Sequence, residues 1–134
     1  MEQWHYWNKS FYTFVHTKST WEDAAISCSS MREGAHLVFI ESEVENKEVS
    51  RLAKVASEGQ EELWWIGLTD KETEGVWKWY NITAIYTPWM EYQPDDWNGE
   101  DCGLLKEWQD DRALWNDESC SFKVQFICEK DMEA

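Results

Sequence analysis

Four cysteines, Cys28, Cys102, Cys120 and Cys128, constrain this chain more than any other feature. None belongs to a CxxC pair, which argues against a thiolate zinc site. Their even number suits two disulfides formed in an oxidising compartment, and three connectivities are open at this point. Two acceptor sequons, Asn8-Lys9-Ser10 and Asn81-Ile82-Thr83, agree with an extracellular setting. The opening Met1-Glu2-Gln3-Trp4 has neither the basic region nor the apolar run of a signal peptide. A secreted protein of this sequence is therefore expected as a mature chain or as an ectodomain fragment.

A length of 134 residues fits one domain, expected to span 1–134. Eleven tryptophans are far more than such a chain can leave exposed, so most are expected to pack inside. The formal net charge of −15 argues against nucleic acid and against anionic membranes, because both select a positive surface. No apolar stretch is long enough to insert across a bilayer.

The first half carries helical signals. Ser19-Thr20-Trp21-Glu22 reads as a capping box ahead of Ala24, Ala25, Ile26 and Cys28. Ser42-Glu43-Val44-Glu45 reads as a second, ahead of Val49, Leu52, Ala53 and Ala56 at helical spacing. Between them, Ala35 to Ile40 reads as a short buried strand. After Gly59 the pattern changes to short strands at Leu63–Leu68, Val76–Trp79, Leu114–Trp115 and Val124–Cys128. Long acid-rich connections separate them, chiefly Thr69–Gly75 and Met90–Asp101. Together these elements make an α+β fold.

The oxygen-bearing side chains concentrate in those connections. Asp70 and Glu74 lie in the first. Gln93, Asp95, Asp96, Glu100 and Asp101 lie in the second, and Asn116, Asp117 and Glu118 follow Trp115. Bringing so many carboxylates together is costly without a cation. Carboxylates mixed with side-chain amides are the hard oxygen donors that calcium takes, six to eight at a time. No EF-hand series is present. In a chain this acidic, a charge run by itself is more often a solvated face, so the order of the residues has to carry the metal reading.

In that order, the sequence resembles the C-type lectin family over nearly its whole length. The landmarks are Cys28 on a helix, Trp65-Ile66-Gly67-Leu68, Gln93-Pro94-Asp95, Glu100-Asp101-Cys102, Trp115-Asn116-Asp117 and Phe126-Ile127-Cys128-Glu129. The resemblance implies two helices flanking small antiparallel sheets, long calcium-binding loops, and disulfides Cys28–Cys128 and Cys102–Cys120. It implies a principal calcium held by Gln93, Asp95, Glu100, Asn116 and Asp117, with a cis peptide bond before Pro94. An auxiliary calcium is implied at Asp70, Glu74, Asp96 and Asp101, so two ions in all.

The family's known action implies a carbohydrate partner. Gln93, Asp95, Glu100 and Asn116 would bond the sugar hydroxyls, and Trp97 would stack on the sugar face. The Gln-Pro-Asp order, followed by Trp97, resembles the galactose-type members. The short Asn98-Gly99 connection resembles instead the mannose- and fucose-binding lectins, which stand as the alternative. Domains of this type that bind protein or ice are a further alternative. No nucleophile–base pair or metalloprotease motif appears, and His5, His16 and His36 are scattered, with His36 read as a satisfied core residue. The chain is therefore not expected to be an enzyme. Shallow single sites gain avidity by multivalency. With no collagen repeat or coiled-coil heptad in the sequence, a homo-oligomer would have to form through surfaces of this domain.

Overall fold

In the computed structural model, which describes residues 3–95 and 99–132, the chain runs β1 (His5–Trp7), β2 (Ser10–Ser19), α1 (Trp21–Met31), β3 (His36–Leu37) and α2 (Glu43–Ala56). It continues through β4 (Trp64–Thr69), β5 (Lys78–Trp79), β6 (Ile82–Thr83), β7 (Cys102–Gln109), β8 (Arg112–Glu118) and β9 (Val124–Asp131).

Both helices start within one residue of where the sequence says, for capping reasons. Thr20 is the N-cap of α1, its Oγ1 accepting from the Asp23 amide at 3.2 Å, so the cap sits one residue later than Ser19. Ser42 caps α2 by accepting from the Glu45 amide at 3.1 Å. Glu45 reaches back to accept from the Glu41 amide at 2.9 Å, one residue beyond the usual box.

The strands join in one nine-stranded mixed network. The terminal strands β2 and β9 pair antiparallel from Ser10↔Asp131 to Ser19↔Val124, and β3 pairs with β9 at His36↔Glu129. One parallel contact, Trp65↔Phe126, ties β9 to β4, and β4 passes the ladder to the β7–β8 hairpin. The sequence pattern missed β1, β2, β6 and β7. In β2 both Tyr12 and its neighbour Thr13 are buried, so the strand lacks the clean alternation that marks one. The strand expected over Ala35–Ile40 shrinks to His36–Leu37. Beyond it, Val38 still exchanges backbone bonds, donating to Ile127 and accepting from Gly67. Gly67 is required there, because a Cβ at that position would lie 2.9 Å from the Leu37 carbonyl oxygen.

Two apolar clusters form the core. One packs Val49 and Ala53 of α2 with Tyr12, Val38, Ile66, Trp64, Trp79 and Trp115, and the other packs Ala24 and Cys28 of α1 with Leu37, Trp65, Leu104 and Phe126. Trp64, Trp65, Trp79 and Trp115 are fully enclosed, and Trp77 and Trp108 nearly so. Several indole N–H groups bond across elements: Trp21 to Ile66 O, Trp65 to Ser19 O, Trp108 to Ser50 O. The disulfides are Cys28–Cys128, joining α1 to β9, and Cys102–Cys120, joining β7 to the turn after β8.

Helix α2 is bolted to the hairpin by buried polar groups. Asn46 donates to Ala113 O at 2.9 Å and accepts from Trp115 Nε1 at 3.2 Å, while Ser50 Oγ accepts from the Ala113 amide at 2.8 Å. Asn46→Ala strands a buried carbonyl and an indole N–H together. It should lower the unfolding free energy by about 1–3 kcal/mol in urea titrations, since orphaned buried partners carry their full desolvation cost. A loss below about 0.5 kcal/mol, the size of an ordinary surface change, would show that this bolt does not hold β8.

Candidate acidic loop site

The acid-rich loops gather at one end of the β7–β8 hairpin. In its register, Cys102 faces Glu118, Gly103 faces Asp117 and Leu104 faces Asn116, so the cysteine anchors the strand beside the acids. The chain between β6 and β7 is fastened to the same hairpin. Met90 donates to Trp115 O at 2.8 Å, and the Trp115 amide donates to Pro88 O at 2.9 Å. Trp89 packs edge-on against Trp77 and Trp115. Gln93 then turns back, its amide donating to Met90 O at 3.0 Å, and the Gln93–Pro94 peptide is cis, as the resemblance implies.

Two groups of carboxylates result. Oxygens of Asp95, Glu100 and Asp117 lie within 4.8 Å of one another, and so do those of Asp70, Glu74 and Asp101. Asp117 is fully buried, and its Oδ1 accepts from the Asp95 amide at 3.4 Å. In the second group, Asp70 Oδ2 accepts from the Gly75 amide at 2.9 Å and closes the Thr69–Gly75 turn. The Asp101 carbonyl accepts from both the Asp70 amide at 3.1 Å and Thr69 Oγ1 at 2.8 Å. The two loops are thereby sewn together by backbone as well as by their acids.

Of the nine metal-ligand candidates, six carboxylates fall into these two groups. Gln93 and Asn116 flank the first in sequence, two residues before Asp95 and one before Asp117. Asp96 and the sugar-stacking candidate Trp97 lie outside the described residues.

Three buried oxygens in these loops lack partners. Asp70 Oδ1, Gln93 Oε1 and Asn116 Oδ1 are all inaccessible and have no hydrogen-bond partner. Burying such an oxygen unsatisfied costs roughly 1–3 kcal/mol. Three of them among carboxylate neighbours are what a hard cation would satisfy, and the donor set of carboxylates plus amide oxygens suits calcium. These residues fit the ion that the resemblance implies. A cavity of about 590 Å³ lies elsewhere, along α2 between Val44, Val55, Trp7 and Trp108, and contributes none of this chemistry.

The crowding has an electrostatic signature. Burial, and then the neighbouring carboxyls of Asp95, Glu118 and Asp117, push the Glu100 carboxyl up to about 8. Glu118, which the sequence sets beside Asp117, therefore belongs to the first group's surroundings, where the hairpin register puts it opposite Cys102.

Comparison with known proteins shows the family and the fold. A family model described as Lectin C-type domain matches residues 17–130. The C-type lectin domain family 4 member F of Mus musculus is 35% identical over 139 residues, covering 96% of this chain and 23% of that protein. Lectin BRA-3 of Megabalanus rosa is 31% identical over 109 residues, covering 81% of this chain and 63% of that one. The chain thus spans less than two thirds of either relative. Among solved structures, the carbohydrate-recognition domain of the mouse scavenger receptor C-type lectin superposes with a TM-score of 0.84 at 35% identity, covering 97% of this chain and 96% of that one.

A raised carboxyl fixes the sign of a pH effect. The folded chain holds the Glu100 proton more tightly than the unfolded chain does, whose ordinary value is 4.5. With chelator present, the contribution of Glu100 to stability is therefore full below that value and is lost as pH rises towards about 8. Glu129 on β9 is pushed up to about 8 by its own burial and titrates in the same window. Glu100→Gln separates the two. In urea unfolding with chelator, that variant should lose less stability across the window than the parent, and parallel curves would show that Glu100 is not under this pressure.

Proposed function

This chain belongs to the C-type lectin family, whose domains bind carbohydrate and are not enzymes, and from that premise we propose that it is a calcium-dependent lectin for galactose-type glycans. The observation that carries the calcium reading is the pair of buried, unbonded oxygens of Gln93 and Asn116, sequence neighbours of Asp95 and Asp117 in the carboxylate group. Gln93, Asp95, Glu100, Asn116 and Asp117 are the proposed ligands of a principal ion. Asp70, Glu74 and Asp101, with Asp96, are the proposed ligands of an auxiliary one that steadies the loops. Bound calcium would supply coordination positions for a pair of neighbouring sugar hydroxyls.

The side chains themselves set the specificity. Each carboxylate has lone pairs to spare, so Asp95 and Glu100 accept from sugar O–H groups. Gln93 and Asn116 each carry an NH₂ that donates to a hydroxyl oxygen while the amide carbonyl faces the ion. The order amide-Pro-acid places the donor at Gln93 and the acceptor at Asp95. In the galactose-type members that order favours the axial 4-hydroxyl, and it supports the galactose reading here. Trp97 is assigned to the apolar face of the sugar. The short Asn98-Gly99 connection keeps mannose and fucose as the second reading. Weak single sites of this kind reach useful avidity as homo-oligomers. The two disulfides, and the extracellular habit of the family, support an extracellular location for the domain.

Competition on one immobilised glycan tests the whole reading. Galactose should displace the protein more effectively than mannose, and chelator should abolish binding. Asn116→Ala should cost at least about tenfold in sugar affinity, equivalent to about 1.4 kcal/mol, while remaining folded. Gln93→Glu with Asp95→Asn should move the preference towards mannose, because it reverses donor and acceptor without changing the pair's charge. Binding indifferent to chelator would overturn the calcium dependence. Equal loss of both sugars in the double variant would overturn the galactose assignment.

A further inference from the structure

A third group of metal-binding side chains lies on β3 and β9. His36 pairs directly with Glu129 in the β3–β9 ladder, so their side chains leave the same face of the sheet. Asp131, two residues on, shares that face. One nitrogen of His36 and one oxygen from each carboxylate lie within 4.8 Å of one another, with His36 Nε2 at 4.0 Å from Asp131 Oδ2.

The imidazole is prepared for a metal. Its Nδ1 sits 2.7 Å from the Leu37 carbonyl oxygen, which can only accept, so Nδ1 carries the hydrogen. In the neutral ring the lone pair is then on Nε2, the atom that faces Asp131. This is the arrangement in which an outer hydrogen bond fixes the tautomer of a metal-binding histidine. The ring also packs against Phe39, tilted by 34° with centroids 4.1 Å apart.

The carboxylates are prepared as well. Ser10 faces Asp131 across the β2–β9 ladder, and its hydroxyl is shared between Glu129 Oε2 at 2.8 Å and Asp131 Oδ1 at 3.1 Å. Glu129 Oε1 accepts from the Phe39 amide at 3.0 Å. Glu129 is only 4% exposed, and among the described residues no Lys or Arg forms an ion pair with it. A carboxyl buried this firmly beside a second one either keeps its proton or ionises against a cation, and a metal would take the proton's place. His36 and Asp131 also line a cavity of about 430 Å³, together with Trp21, Phe39 and Tyr80, which gives solvent a route to the group.

We propose that His36, Glu129 and Asp131 form a binding site for a first-row divalent metal such as zinc, separate from the acidic loops. One imidazole nitrogen and two carboxylates match zinc's preferred donors, and a divalent ion neutralises the two acids. Three protein ligands leave a position open towards the cavity for water or a small anion. The metal would lock β3 to β9 beside the Cys28–Cys128 disulfide.

The test uses the whole chain in excess calcium, so that hard-oxygen sites in the loops are saturated. Cobalt(II) is titrated first as a spectroscopic probe, and zinc is then added to displace it. One equivalent should bind with the absorption of a cobalt ion that has a nitrogen ligand. His36→Ala and Asp131→Ala should each weaken it about tenfold or more, without changing the metal-free unfolding midpoint. Ring-nitrogen NMR of the parent protein gives a reading that does not depend on a variant folding: zinc should move the His36 signals and leave those of His5 and His16. Cobalt binding of undiminished strength in His36→Ala, zinc shifts at His5 or His16 in place of His36, or no stoichiometric binding below millimolar metal would each overturn the site.

Discussion

The parallel contact between Trp65 of β4 and Phe126 of β9 joins two differently built halves. On one side, β2 and β9 bring the two ends of the chain together, and Cys28–Cys128 ties α1 to them. On the other, β4 carries the β7–β8 hairpin, from which the acidic loops hang. The loops have little secondary structure of their own. Their positions follow from backbone bonds at their roots: Met90 and Pro88 on Trp115, Asp70 on Asp101. Those roots stay in place because α2 grips β8 through Asn46 and Ser50, and because Cys102–Cys120 closes the hairpin's end.

That rigidity opposes electrostatics. A loose acidic loop would spread its charges into water, where repulsion at such distances is small. Here Asp117 is fully buried and Asp70 is only 2% exposed, each held next to other acids. The frame thus keeps in place a concentration of carboxylate oxygen, and burial together with that crowding raises the Glu100 carboxyl. Stability spent at one end of a domain on an unfavourable cluster is the usual mark of a binding site.

Much of this was legible in the residues. Capping chemistry located both helices to within a residue, because Thr20 and Ser42 act through contacts three positions away. The order of short motifs identified the family, the two disulfides and the cis Gln93–Pro94 bond. Long-range pairing was not legible. Strand β2 mixes buried Ser10 and Thr13 with Tyr12, and β7 reads as a hairpin arm only once β8 is beside it. The same blindness led His36 to be read as a satisfied core residue. It is partly exposed, and its neighbours Glu129 and Asp131 lie more than ninety positions away, so only the β3–β9 register brings them together.

The central claim is that the unbonded loop oxygens are calcium ligands and that sugar binds at the same ion. A crystal structure grown with calcium and galactose tests it most directly. The account predicts an anomalous peak about 2.3–2.6 Å from Gln93 Oε1, Asn116 Oδ1 and the carboxylates of Asp95, Glu100 and Asp117, with two galactose hydroxyls completing the coordination. Calcium bound elsewhere, with those oxygens turned to water, or galactose bound away from the ion, would contradict it.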